Sequence, residues 1–178
     1  MELRRRGQPL PSPLIGVWDL DLSSASRHAD AGEFAEAMDI FKKVREFAPP
    51  QFEGPAAFGL GNVLCAMGDL DGAIEALQAA FDSYHPTCAI VAGVRLGLLL
   101  VKSQSLERAL RVLRPIAELR NAEHSGYAEL ALAELFASEG DMMAAREAYQ
   151  RAQGLGPEEA ARLARQALRE IESSGEGG

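Results

Sequence analysis

Hydrophobic positions recur along the chain at spacings of three and four residues, the period of one face of an α-helix. Such stripes run through Phe34–Phe47, Leu70–Phe81 and Leu106–Leu119, with charged residues between the apolar ones. A short polar turn precedes each stripe, and a similar turn precedes Met142. The pattern therefore predicts helices joined in pairs by tight corners.

The corners recur at a fixed interval of 36 residues. An alanine follows each corner at the same distance, at Ala37, Ala73, Ala109 and Ala145. A glycine forms three of the corners (Gly32, Gly68 and Gly140), whereas Gln104 takes its place in the third. We expect that corner to form without the residue that most easily adopts a positive φ. A fixed period of this size indicates stacked helical repeats.

The repeats divide the chain into segments. Residues 1–17, rich in Arg and Pro, predict a disordered leader, and residues 173–178 predict a disordered tail. Between them we expect repeats at 18–53, 54–89, 90–125 and 126–156, followed by a capping helix at 157–172. The capping helix is apolar on one side, as the end of a repeat array requires.

Charge and composition narrow the classes of partner. The formal net charge of −8 argues against binding to nucleic acid or to an anionic membrane surface. The longest apolar run, Cys88–Val101, contains Arg95 and is too short to span a membrane. Cys65 and Cys88 have neither metal-type nor disulfide-type spacing, which favours a reducing compartment and predicts a cytoplasmic protein.

No catalytic constellation is recognisable in the sequence. His28, His85 and His124 lie at different places in their repeats, and no pairing typical of a metal site is visible. We therefore predict no enzymatic activity, no cofactor and no metal. An enzyme would need a reactive Cys65, which remains the alternative.

The units resemble tetratricopeptide repeats (TPRs). The second unit carries the pattern best, with Leu60-Gly61, Gly68, Ala73, Leu77 and Ala80 and a closing Pro86. The resemblance covers about residues 18–172 and implies an all-α fold, a right-handed α-solenoid of four TPR-like helix pairs plus a C-terminal capping helix. The family unit has about 34 residues, so each repeat here is slightly longer.

The resemblance also implies a binding surface. In this family the first helices of the repeats line a concave face that commonly holds an extended peptide or a helix. The residues expected on that face are Leu22, Ser26, Phe58, Asn62, Cys65, Val91, Val94, Arg95, Leu98, Lys102, Tyr127, Leu130 and Glu134. Only Asn62 and Arg95 suit a clamp for a C-terminal carboxylate. The largely apolar set favours a hydrophobic segment or an amphipathic helix.

We therefore predict a non-enzymatic protein–protein interaction module, an adaptor or chaperone-like domain that binds a partner peptide or helix in this groove. Two alternatives remain open. In the first, the leader covers the groove with Leu10, Leu14 and Ile15. In the second, the array associates with itself, as a scaffold subunit or homodimer, through its polar first helix.

Overall fold

The computed structural model of the protein describes residues 12–83, 85–119 and 123–175. Within these residues the chain forms nine α-helices and a short 3-10 turn at Pro50–Phe52. The helices are α1 (Ser12–Asp30), α2 (Phe34–Phe47), α3 (Glu53–Met67), α4 (Leu70–Phe81), α5 (Pro86–Lys102), α6 (Leu106–Glu118), α7 (Ser125–Ser138), α8 (Met142–Leu155) and α9 (Glu158–Gly175). They follow the predicted order of four pairs and one further helix.

Both ends of the helical region differ from the predicted boundaries. The first helix begins at Ser12, six residues before the expected start at residue 18. Pro13 lies in its first turn, where the missing N–H of proline has no helical partner to lose. The last helix continues to Gly175, three residues beyond the predicted end. Residues 1–11 and 176–178 lie outside the described residues, and so does Leu10 of the segment that the alternative places over the groove, whereas Leu14 and Ile15 of that segment lie in α1.

The four corners share one backbone geometry. Gly32, Gly68 and Gly140 have φ angles of 79°, 82° and 81°. Gln104 adopts the same left-handed conformation with φ at 58°, so the third corner keeps the geometry without the glycine. The N–H that follows each of these residues bonds a carbonyl five residues earlier, as in Ser105 N to Leu100 O at 2.8 Å. This bond closes the end of each first helix.

The second helices of the four pairs differ in whether a side chain caps their first turn. The Asp69 carboxylate accepts a hydrogen bond from Gly72 N at 3.0 Å, and the Asp141 carboxylate accepts one from Ala144 N at the same distance. Glu33 and Ser105 occupy the same position before α2 and α6 and make no such side-chain bond. The second and fourth corners are therefore capped by an aspartate, and the first and third are not.

The chain divides within α5, between Cys88 and Ala89, into two compact units. In the first unit α1, α2, α3 and α4 pack around a core that includes Phe41, Val44 and Phe52. Trp18 packs against this core from α1. A β-carbon on Gly61 would lie 2.7 Å from Leu77 Cγ, so α3 and α4 approach closely there.

The second unit repeats this packing. A β-carbon on Gly97 would lie 2.3 Å from Leu113 Cδ2, which places α5 and α6 in the same close contact. The sixth helix continues through Pro115, and Ser125 closes the connection to α7. The buried Ser125 hydroxyl donates a hydrogen bond of 3.0 Å to Ile116 O, a carbonyl in the last turn of α6. The seventh, eighth and ninth helices pack on one another after this point.

Candidate functional site

The predicted binding residues of the first unit lie on α1 and α3. Leu22 is half-buried and packs against the core, whereas Ser26 is exposed and its hydroxyl donates to Leu22 O at 3.0 Å. Phe58, Asn62 and Cys65 are each half-buried on α3. Their spacing of four and three residues keeps them on one face of that helix.

The predicted residues on α5 differ widely in exposure. Val91 and Leu98 are half-buried, and Arg95 and Lys102 are exposed. Val94 is only 9% exposed and therefore leaves little surface for a partner. Among the predicted residues of α5, the apolar surface comes from Val91 and Leu98.

The predicted residues on α7 form specific contacts within the second unit. The Tyr127 hydroxyl donates a hydrogen bond of 3.0 Å to Glu159 Oε2 on α9. Burial raises the pKa of Tyr127, and the hydrogen bond and the charge of Glu159 add to this effect. Leu130 is only 8% exposed and contributes packing. Tyr127 thus joins α7 to a residue that the sequence analysis had not singled out.

Glu134 and Lys102 interact through their charges in the second unit. The side chain of Glu134 is exposed, but neighbouring groups crowd its carboxyl, and this burial raises the pKa of Glu134. The positive charge of Lys102 opposes the shift by lowering that pKa. The charge of one predicted site residue on α5 therefore acts on another on α7.

A cavity that the sequence analysis missed lies among α7, α8 and α9. Its volume is about 230 Å³. It is lined by Ala137, Met142, Tyr149, Ala167, Glu170 and Ile171. Burial raises the pKa of Tyr149, and the negative charges of Glu134 and Glu170 raise it further. The cavity thus combines apolar walls with a phenol and nearby carboxylates.

An ion pair between a buried glutamate and an exposed arginine links the two helices of the fourth repeat. Glu129 is only 5% exposed, and its Oε1 accepts a hydrogen bond of 2.9 Å from Arg151 Nε. Within the described residues, Glu129 Oε2 has no hydrogen-bond partner. Lys43 and Asp21 form the corresponding pair in the first repeat at 3.2 Å, three periods of 36 residues earlier. The shared position of the two pairs was a signal available in the sequence.

The cysteines and histidines occupy ordinary structural environments. Neither Cys65 nor Cys88 is in a disulfide, and both are half-buried. Burial raises the pKa of Cys88 to about 11, which keeps its sulfur protonated near neutral pH. His28 is partly buried and pairs through Nδ1 with Glu33 Oε2 across the first corner.

The described part of the chain shows neither a metal-type cluster nor a membrane-spanning helix. There, no group of three or more His, Cys, Asp or Glu side chains is arranged to hold a metal ion. None of the helices described combines the length and the apolar character needed to cross a membrane.

Known proteins resemble the chain in sequence pattern and in fold. A family model described as a tetratricopeptide repeat-like domain matches residues 20–173. No curated protein matches the chain. Fifteen chains of solved structures match it. One of them, titled MamA AMB-1 P212121, is 22% identical, covers 76% of each chain and has a TM-score of 0.58.

These matches confirm the predicted fold class, an all-α arrangement of TPR-like helix pairs. The family model covers most of the sequence and includes all four corners. The chain belongs to the tetratricopeptide repeat-like domain family.

Proposed function

We propose that the protein is a non-enzymatic interaction module that binds a peptide or a helix of a partner protein along the first helices of its repeats. Family and fold support a protein-interaction scaffold in general. The observation that carries the finer proposal is the partial exposure of apolar residues on these helices. Phe58 on α3 and Leu98 on α5 are both half-buried and leave apolar surface for contact. We further propose an adaptor or chaperone-like role.

The location proposed for this function is the cytoplasm. Cys65 and Cys88, neither of which is in a disulfide, support a reducing compartment. The net charge of −8 supports a protein partner rather than nucleic acid.

Photo-crosslinking tests the proposed surface without disturbing the fold. A photoreactive phenylalanine analogue replaces Phe58 in one variant and Phe47 in a matched control. Phe47 lies on the second helix α2 and is 64% exposed, so it is at least as accessible. We expect a crosslinked partner from a native extract only with the analogue at residue 58. Equal crosslinking from both positions would contradict the proposal.

A pair of charge substitutions provides the complementary loss-of-function test. Phe58→Glu with Leu98→Glu places two carboxylates on the proposed surface. Phe47→Glu with Leu119→Glu adds the same charge at exposed positions outside the first helices. We expect only the first pair to weaken partner capture, by about tenfold or more, because buried charge without a partner is costly. Circular dichroism checks that both variants remain helical, and unchanged capture refutes the assignment of this surface.

Self-association is a second candidate function, favoured by the surface of α1. Val17 and Leu20 lie one helical turn apart and are 46% and 71% exposed. Such an apolar pair suits a contact with a second copy of the chain. We expect sedimentation equilibrium to show a dimer for the wild-type chain and a monomer for the variant with Val17→Lys and Leu20→Lys. A wild-type monomer at a concentration of about 0.5 mM would exclude this candidate.

A further inference from the structure

A histidine side chain closes the first turn of α5. His85 precedes Pro86, the first residue of that helix, and its ring Nδ1 accepts a hydrogen bond of 3.2 Å from the backbone N–H of Cys88. Proline suits the first helical position because its missing N–H leaves no donor unpaired there. The other N–H groups of the first turn have no carbonyl partner within the helix, so the ring nitrogen supplies an acceptor that the helix itself lacks.

The segment before α5 is held in place by further contacts. The Ser83 hydroxyl donates a hydrogen bond of 2.7 Å to Ala80 O and accepts a longer one of 3.4 Å from the N–H of His85. A β-carbon on Gly54, in the first turn of α3, would lie 2.3 Å from Ser83 Oγ and 3.2 Å from His85 Cβ. The turn therefore packs closely against α3, which fixes the backbone of His85 beside the helix that it caps.

The cap depends on the charge of the imidazole ring. A neutral histidine accepts a hydrogen bond at one ring nitrogen, whereas both nitrogens of the protonated ring carry hydrogens and only donate. The bond from Cys88 therefore requires the neutral form of His85 with its hydrogen on Nε2. Protonation removes the acceptor and places a positive charge at the positive end of the helix dipole. Both effects weaken the first turn of α5.

The other helix caps in the described part of the chain do not share this dependence. Asp69 and Asp141 cap α4 and α8 with carboxylates. Carboxylates in general stay ionised above about pH 5, whereas histidine changes its charge between about pH 5 and 8. His124 precedes α7 and makes no side-chain cap bond. Mild acid therefore acts on the cap that His85 provides and leaves the aspartate caps intact.

Few charged groups lie on the elements around His85. Glu53 begins α3 and Asp82 follows the last residue of α4, and both side chains are exposed. Within the described residues neither of them forms an ion pair with His85. On α5, Arg95 lies two turns beyond Cys88. Burial raises the pKa of the Cys88 thiol to about 11, so this thiol stays neutral in the range where histidine titrates.

The position of this cap in the chain extends its effect beyond one turn. The two compact units divide between Cys88 and Ala89, so the donor of the bond is the last residue of the first unit, and α5 continues into the second. We infer that His85 is an acid-sensitive switch: its neutral ring holds the first turn of α5, and its protonation releases that turn where the chain passes from one unit to the other. The switch is independent of the partner surface proposed above.

Urea unfolding at two pH values tests the switch with the whole chain. His85→Ala removes the acceptor at every pH, and His85→Asn supplies an acceptor that does not titrate. At about pH 7.5 we expect the unfolding constant of His85→Ala to exceed that of the wild type about fivefold and that of His85→Asn to equal it. At about pH 5.5 the wild type should match His85→Ala, and His85→Asn should have an unfolding constant about fivefold smaller. Groups that titrate elsewhere contribute equally to all three chains and cancel.

His124→Ala is the matched control. His124 precedes α7 as His85 precedes α5, but its side chain caps no backbone N–H. Its Nε2 lies 3.8 Å from Glu123 Oε2, and protonation of the ring strengthens such a pair. The wild type should therefore lose no stability relative to His124→Ala between about pH 7.5 and 5.5.

NMR observes the bond itself. In ¹⁵N-labelled protein, couplings within the ring give the tautomer of His85, and a coupling across the hydrogen bond joins its Nδ1 to the backbone nitrogen of Cys88. We expect the hydrogen on Nε2 and a measurable coupling at about pH 7.5, and loss of that coupling at about pH 5.5. Three results would overturn the switch: a hydrogen on Nδ1 at the higher pH, a coupling that persists when the ring is protonated, and equal destabilisation by His85→Ala at both pH values.

Discussion

Gly126 lies in the first turn of α7, where a β-carbon would meet the backbone of the corner between α8 and α9. The added atom would stand 2.2 Å from Gly156 Cα and 2.8 Å from Gly156 N. Both of these are backbone atoms, so no side-chain rotation relieves the contact. We therefore expect Gly126→Ala to separate α7 from this corner and to destabilise the protein.

The size of the effect follows from the distance that must open. Ordinary van der Waals contact begins at 3.4 Å, so the atoms at 2.2 Å must move apart by about 1.2 Å. Overpacking of this kind costs about 3 kcal/mol at the upper end of its usual range. Replacing glycine by alanine within a helix stabilises the folded state by about 0.5–1 kcal/mol and offsets part of this cost. The net loss in the free energy of unfolding is about 2 kcal/mol, which corresponds to about 4–8 °C in Tm.

Gly154→Ala supplies the matched control. Gly154 lies in the last turns of α8, and a β-carbon there would meet no atom within 4 Å. The free energy of unfolding of this variant should rise by about 0.5–1 kcal/mol, because alanine lowers the backbone entropy of the unfolded state. Urea unfolding followed by circular dichroism compares the two chains at constant m-value. A Gly126→Ala chain as stable as the Gly154→Ala chain would contradict the predicted clash.

Three other predictions concern a corner, a thiol and a carboxylate. Gln104→Gly should raise the free energy of unfolding by about 0.5–1 kcal/mol, because glycine adopts the positive φ without strain; a lower urea midpoint would contradict this. In the Cys65→Ser chain at about pH 8, iodoacetamide should alkylate Cys88 about 100-fold more slowly in the folded state than in the unfolded state, because burial raises the pKa of Cys88 from 9.0 to about 11. Alkylation rates of the two states within about threefold of each other would contradict this prediction. Because folding raises the pKa of Glu134, this residue contributes favourably to the free energy of unfolding at low pH. The contribution is lost as the pH rises through the pKa that Glu134 has in the folded state. Glu134→Gln should therefore stabilise the chain more at about pH 7 than at about pH 4, and the opposite trend would show that the charge of Lys102 outweighs burial.

Much of the fold was predictable because its corners have strict local requirements. A tight corner needs a residue at positive φ, and the 36-residue interval marks each such place in the sequence. The start of α1 was not predictable in this way. Pro13 and its neighbours suggest an irregular leader, yet the helix begins at Ser12 because proline is compatible with a first turn.

The candidate site was less predictable because exposure depends on neighbouring helices. Helical spacing places Phe58 and Val94 on faces of first helices, but Phe58 is half-buried and Val94 is nearly fully buried. Residues of three different helices line the cavity beside Tyr149, so the pattern within a single helix does not predict it. The pair of Glu129 and Arg151 was within reach of sequence comparison, because Asp21 and Lys43 occupy the same positions in the first repeat.

The third corner has a kinetic consequence for the folded chain. Gln104 holds a positive φ without glycine, and Ser105 begins α6 without the side-chain bond that Asp69 supplies to α4. Both features lower the free energy needed to open this corner, so local unfolding starts there more readily than at the second or fourth. Backbone amides at the start of α6 should therefore exchange with deuterium before those of α4. A protease that cuts the native protein within its helical region should find its first site beside Gln104.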